Sequence, residues 1–265
     1  MQLSISNIAW DSNIDTEIYS VLKEYGFCGL EIAPTRIFHT DPYEHINDAL
    51  IWSRNLLTEY NLKISSMQSI WYGRKEMLFG SMDERKVLLE YTMKAIDFAS
   101  TINCKNLVFG CPKNRFKPDE ASFNIAIEFF KKIGDYAYDK GTVIGLEANP
   151  TIYNTNYINT TESAIETIKL VDSKGFKLNL DIGTMIQNDE SLNILRENAG
   201  LINHVHISEP NLAYIENRQI HKDLIRLLKD NDYNGFISIE MAKRTNISDI
   251  KSSMSYLKSL VKKDI

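Results

Sequence analysis

Four segments in the second half of the chain each carry a side chain that can bind a metal ion or move a proton. They are GLEANP at 145–150 with Glu147, NLDIGT at 179–184 with Asp181, NHVHISEP at 203–210 with His204 and His206, and SIEM at 238–241 with Glu240. Each group follows an apolar run, so it sits at the edge of a core, where an uncompensated charge is costly. Three carboxylates gathered without a cation repel one another and push at least one towards its protonated form. A divalent cation removes that conflict. Three oxygen donors and one imidazole suit Mn2+, with Mg2+ or Co2+ as alternatives, and leave positions open for substrate or water. His204 and His206 alternate along one segment and share a face, and the spacing leaves open which of them is the ligand.

Those groups need elements that bring them together. Short β-rich runs recur at 2–8, 28–33, 62–68, 105–109, 142–148, 176–181, 202–208 and 235–241, with stretches of helical period such as 84–103 and 121–139 between them. Gly26, Asn61, Gly141 and Gly175 precede strands and suit helix C-caps. Eight strands alternating with helices predict a parallel sheet closed into a (β/α)8 TIM barrel, an α/β fold in a single domain over 1–265. An open doubly wound sheet is the competing fold, but residues 7–13 hold no glycine where its phosphate turn belongs. In a barrel, catalytic residues collect at the C-terminal ends of the strands, which is where all four segments put theirs.

Composition narrows the classes. The chain has 265 residues and a formal net charge of −5, which argues against a nucleic-acid partner. Its three cysteines, Cys28, Cys104 and Cys111, form no CxxC pair, as expected of a reducing cytoplasmic setting. The opening MQLSISNIAW has no basic region before an apolar run, and no stretch is long enough to span a membrane, so no membrane partner is expected.

The segments GFCGLEI at 26–32, GLEANP, LDIGT at 180–184, HVHISEP at 204–210 and GFISIEM at 235–241 together resemble the xylose isomerase-like TIM barrel superfamily. It includes sugar phosphate isomerase/epimerases, ketose 3-epimerases, inosose dehydratases and the AP endonuclease family 2, or endonuclease IV type. The likeness runs over essentially the whole chain. It implies one divalent metal on Glu147, Asp181, His206 and Glu240, with Glu147 and Glu240 as an acid/base pair acting on a small-molecule sugar, and a homodimer is common among its members. That pairing is sound chemistry, because inverting a carbon next to a carbonyl needs a proton carrier on each face.

The substrate shell departs from the epimerase pattern at Thr184, Leu212 and Tyr153, which replace a His, an Arg and a Glu. A different grip on substrate is therefore expected, from Lys113 and Arg115 in GCPKNR at 110–115, which suit an anionic sugar such as a phosphate, acid or nucleotide sugar. Glu31, Gln68, Trp71, His204 and Glu209 complete the expected substrate-binding set, with Trp10 as a further rim candidate. His39, His45 and His221 read as surface or capping residues. The rival readings are a metal-dependent dehydratase of a keto-sugar or inosose, a non-catalytic sugar-binding barrel, and an endonuclease IV-type repair enzyme. The last needs further mouth histidines where Gln68, Gly110 and Thr184 stand.

Overall fold

Along the strands apolar residues alternate with small polar ones, and the two sets go to opposite faces. The computed structural model describes residues 1–262; the last three positions of the expected domain, 263–265, lie outside the described residues. The strands are β1 (Gln2–Ser6), β2 (Gly29–Ile32), β3 (Lys63–Met67), β4 (Leu107–Phe109), β5 (Ile144–Leu146), β6 (Phe176–Asp181), β7 (Ile202–Ser208) and β8 (Phe236–Glu240). Around them run α1 (Asp15–Tyr25), α2 (Pro34–Ile37), α3 (Ile46–Tyr60), α4 (Met82–Thr101), α5 (Asn124–Asp139), α6 (Thr161–Val171), α7 (Ile182–Gln187), α8 (Asn193–Arg196), α9 (Gln219–Asp230) and α10 (Ile247–Lys262). The strands pair in parallel and in sequence order, and β1 pairs with both β2 and β8, so the sheet closes. The expected barrel is the fold, and the open sheet is excluded. None of the described helices is long and apolar enough to cross a membrane.

The apolar set, including Leu3, Ile5, Leu30, Ile32, Val205, Ile207, Ile237 and Ile239, is buried in the hydrophobic core. The polar set faces the lumen. Ser4 Oγ lies 2.6 Å from Ser65 Oγ, and Asn106 donates to Ser66 Oγ at 2.9 Å and to Asn179 Oδ1 at 3.3 Å, across the barrel. Bulky branched side chains normally fill such a lumen. Here a buried hydrogen-bond network replaces them, so the strands leading to the charged groups are apolar on one face only. Register slips at Leu30/Glu31 and Leu178/Asn179, beside two residues of that network, as bulges do when they re-aim a side chain near a site.

Outside the sheet, an aromatic chain runs from Trp71 to Phe109, Phe130 and Phe176, with successive ring centroids 4.7, 5.1 and 5.0 Å apart. Helix ends follow local chemistry. Gly26 and Asn61 take the left-handed conformation after α1 and α3. Ser81 and Glu84 exchange capping bonds at the start of α4. All three cysteines are free thiols.

Because the apolar packing lies between sheet and helices, Ile5→Ala is expected to cost about 2–5 kcal/mol of unfolding free energy. Ser4→Ala, in the lumen, is expected to cost only about 0.5–1.5 kcal/mol. Urea unfolding of the two variants compares them, and the reverse order would place the core inside the lumen.

Candidate metal centre

Register sets the depth of each group. Asp181 is level with His206 across β6 and β7, and Glu240 is level with Ser208 across β7 and β8, one pleat nearer the mouth. Glu147 follows the last residue of β5. Through its Nδ1, His206 approaches Glu147 Oε2 at 3.1 Å and Glu240 Oε2 at 3.3 Å. One ligand atom from each of these three residues falls within 4.8 Å of the others, and the group could hold a metal ion. His206 is fully buried, while Glu147 and Glu240 keep 8 % exposure each, so the carboxylates face the mouth.

Beneath this group lies a second one. His206 Nε2 is 2.8 Å from Glu31 Oε2, and His204 Nε2 is 3.2 Å from the same oxygen in an ion contact without hydrogen-bond geometry. Gln68 donates to Glu31 Oε1 at 3.2 Å and to Ser6 Oγ. Burial alone would raise the Glu31 carboxyl, yet His206 and His204 hold it well below the usual carboxylate range. Burial opposes charge on His206 as well, but Glu31, Glu240 and Glu147 overcome it and raise its pKa well above the ordinary value. A carboxylate on Nε2 fixes the tautomer that leaves the Nδ1 lone pair for a metal, as outer partners of histidine ligands do.

Electrostatics in the upper group fit a cation. Burial, with repulsion from Glu147 and Glu31, pushes Glu240 up to about 7 although His206 pulls it down. Burial and then Glu147 also raise Asp181. Asp181 stands apart from the three-residue group. Its Oδ1 accepts from Gly183 N at 3.2 Å and from Ser208 Oγ, and its Oδ2 accepts from Thr184 N at 3.1 Å and Thr184 Oγ1 at 2.9 Å. It is the N-cap of α7, with both oxygens occupied. To ligate a metal it must exchange one of those bonds.

Three residues missed in the sequence complete the arrangement. Asn179 donates to Glu147 Oε2 at 2.8 Å, and Asn149 donates to Glu147 Oε1 at 2.9 Å. The signal for Asn179 was its place two residues before Asp181, on the same strand face. Gly110 is the third: a Cβ there would lie 3.0 Å from Glu147 Oε1, so any side chain would crowd that carboxylate. Tyr153 lies close enough to the centre to feel the charges of Asp181, Glu240 and Glu147. Its hydroxyl accepts from Asn211 N at 3.1 Å, and burial with the charges of Asp181, Glu240 and Glu147 pushes it up to about 12, so it remains a neutral O–H donor.

Most of the expected substrate-binding residues have other work. Glu31 and His204 are 0 % and 1 % exposed, beneath the centre and out of a substrate's reach. Gln68 is buried on Glu31 and Ser6. Trp71 lies in the outer core, its Nε1–H donating to Thr92 Oγ1 at 2.8 Å, because α4 and α5 offer it an apolar seat. Arg115 is fully buried and donates to the Glu147 carbonyl at 2.9 Å and to Asn149 Oδ1 at 2.9 Å, so it braces the β5 end rather than meeting an anion. Glu209 is held by Arg218 through two 2.8 Å bonds. Lys113 is exposed. Trp10 is buried and bonded to Asp15. Among the minor histidines, His39 is exposed and His45 half-buried at the start of α3, but His221 is fully buried against Tyr256. Burial pushes it down to about 4, a correction to the surface reading.

A family model described as xylose isomerase-like TIM barrel matches residues 19–260. No curated protein matches the sequence. Among solved structures, 3-keto-D-glucoside 4-epimerase from E. coli is similar with a TM-score of 0.75 and 20 % identity, covering 98 % of each chain. D-psicose 3-epimerase from Clostridium cellulolyticum H10 is similar with a TM-score of 0.73 and 20 % identity, over 98 % of this chain and 96 % of that one. An AP endonuclease of family 2 from Brucella melitensis has a TM-score of 0.74 and 19 % identity, over 97 % and 96 %. At such identities the likeness establishes a shared fold.

Two outcomes follow from the charges. A metal entering the upper group displaces protons from His206 and Glu240, whose pKa values are raised, so affinity should rise with pH by about tenfold per unit for each proton released. Calorimetric Mn2+ titrations in buffers of different ionisation enthalpy count those protons between pH 5.5 and 8, and a flat affinity contradicts the assignment. Glu31→Gln should weaken metal binding by about 10–100-fold, as loss of an outer partner does; unchanged affinity with a raised KM would instead put Glu31 in contact with substrate.

Proposed function

The chain belongs to the xylose isomerase-like TIM barrels, and on that premise we propose that it is a divalent-metal-dependent sugar isomerase or epimerase working through Glu147 and Glu240. Residues Glu147, His206 and Glu240 would hold the ion, with Asp181 joining them by giving up a capping bond, and Mn2+ is the ion we propose. When bound, the ion would supply Lewis acidity, polarising a carbonyl and acidifying the neighbouring C–H.

The observation that carries the reading is the placement of two glutamates over one imidazole nitrogen, each within 3.3 Å of it. A carboxylate positioned beside the reacting carbon can both take and return a proton. Glu240 therefore removes the proton from the carbon beside the carbonyl, and Glu147 returns one to the other face in an epimerase. In an isomerase a single glutamate moves the proton to the adjacent carbon. Asn149 and Asn179 fix the Glu147 carboxylate, and the Tyr153 hydroxyl donates a hydrogen bond to substrate oxygen at the rim.

The activities of the similar structures, 3-keto-D-glucoside 4-epimerase and D-psicose 3-epimerase among them, support a keto-sugar substrate. The anionic sugar loses its main support now that Arg115 is sealed beneath Glu147. Dehydration would begin with the same proton removal, and a product lighter by one water distinguishes it.

The test is solvent exchange. Protein loaded with Mn2+ and incubated with ketoses in D2O should exchange the C–H beside the carbonyl, read by NMR after the metal is chelated. Glu240→Gln should slow that exchange by about 10²–10⁴-fold, the range of a lost general acid–base group, while Mn2+ still binds. Exchange that survives the substitution removes Glu240 from the chemistry.

A further inference from the structure

The metal-binding carboxylates occupy the β5–β8 half of the mouth. On the β1–β3 half a cleft of about 630 Å3 opens, lined among others by Ala33, Arg36, Asp41, Tyr72, Arg74 and Tyr91. It opens at the same end of the barrel as the centre, because Ile8, Ala33 and Ser69 of its lining follow the C-terminal ends of β1, β2 and β3. Its size lies within the range of small-molecule sites.

We propose that this cleft seats a second, uncharged sugar unit attached to the reacting keto-sugar, so that the substrate is a ketose glycoside rather than a free or phosphorylated monosaccharide. The proposal rests on the isomerase or epimerase reading of the metal centre. Its location separates the group held here from the group that reacts, because β2 and β6 stand opposite in a ring of eight.

Charge decides the class of ligand. Both guanidiniums of the cleft are already neutralised. Arg36 holds Asp15 through bonds of 2.6 and 3.2 Å, and Arg74 holds Glu76 through a 3.0 Å bond from Nε and a second from its terminal nitrogen. Asp41 adds an exposed negative charge. A phosphate or carboxylate entering would break an existing ion pair or meet Asp41, and neither favours it. Hydroxyl groups ask for neither. An ion pair offers donors and acceptors side by side, which suits neighbouring hydroxyls, and they need no net charge.

The aromatic residues supply the rest. Tyr72 is 69 % exposed at the cleft, a large ring left open to solvent, and Tyr91 stands half-buried with Arg74 4.9 Å above its ring. Sugar rings present apolar C–H faces that cover such surfaces, and the hydroxyls around their edge reach the polar groups beside them.

The test compares solvent-deuterium exchange by the Mn2+-loaded protein on D-fructose, D-fructose 6-phosphate, and two ketose disaccharides, isomaltulose and lactulose. The disaccharides should show the higher kcat/KM. Tyr72→Ala, and Thr35→Trp, which puts a large ring at a position lining the cleft, should each lower the isomaltulose-to-fructose ratio by about 3–10-fold, the scale of one lost ring contact. A preference for fructose 6-phosphate, or disaccharides no better than fructose, overturns the proposal. If no ketose exchanges, the metal-centre reading fails instead. Saturation-transfer NMR then judges the cleft alone: transfer to the glucosyl protons of isomaltulose, lost in Thr35→Trp, supports it, and no transfer overturns it.

Discussion

The site depends on one imidazole shared among carboxylates. His206 meets Glu31 through Nε2 and Glu147 and Glu240 through Nδ1, all within 3.3 Å. Like charges at that spacing cannot all be carried in a buried volume unless positive charge stands among them. Two positive species serve: a proton on His206, or a divalent ion above it. Much of the surrounding structure decides between them. Glu31 keeps the lower nitrogen protonated, the asparagines orient Glu147, and the repulsion left over raises Glu240.

That arrangement needs a lumen able to solvate charge without water. Ser4, Ser65, Ser66, Asn106 and Asn179 form hydrogen bonds from near the barrel floor up to Glu147. Partly satisfied buried networks are costly, and fully satisfied ones hold their members in fixed places. The second condition largely applies. Asn106 contacts Ser66, Asn179 and Asn203 together, and the Asn179 amide, beside the register slip between β6 and β7, reaches both Glu147 and His206.

The fold was fully legible because it depends on periodicity: eight β-rich runs fall on eight strands, each within a few residues of its expected bounds. Of the four proposed ligands, Glu147, His206 and Glu240 converge, since strand ends and registers carry them there. Asp181 was read correctly as a strand end, but its competing role as a helix cap was hidden, although the sequence DIGT already places backbone N–H groups two and three residues on. The substrate shell was the least legible. Charged residues were assigned to substrate because their side chains could reach it, and Arg115, Glu209 and Glu31 found partners inside the protein first. Burial depth, which sequence spacing does not report, decides that outcome. Trp71 failed for the same reason, drawn into the aromatic packing of the outer layer.

The sheet assigns its two faces separate duties. Leu, Ile and Val on the outer face bind it to the helices, while Ser, Asn, His and Glu on the inner face hold the charges. Substitutions on one surface therefore need not disturb the packing of the other. A sheet built this way can take on new chemistry without renegotiating its architecture, and barrels sharing only a fifth of their residues with this chain follow the same path of the chain.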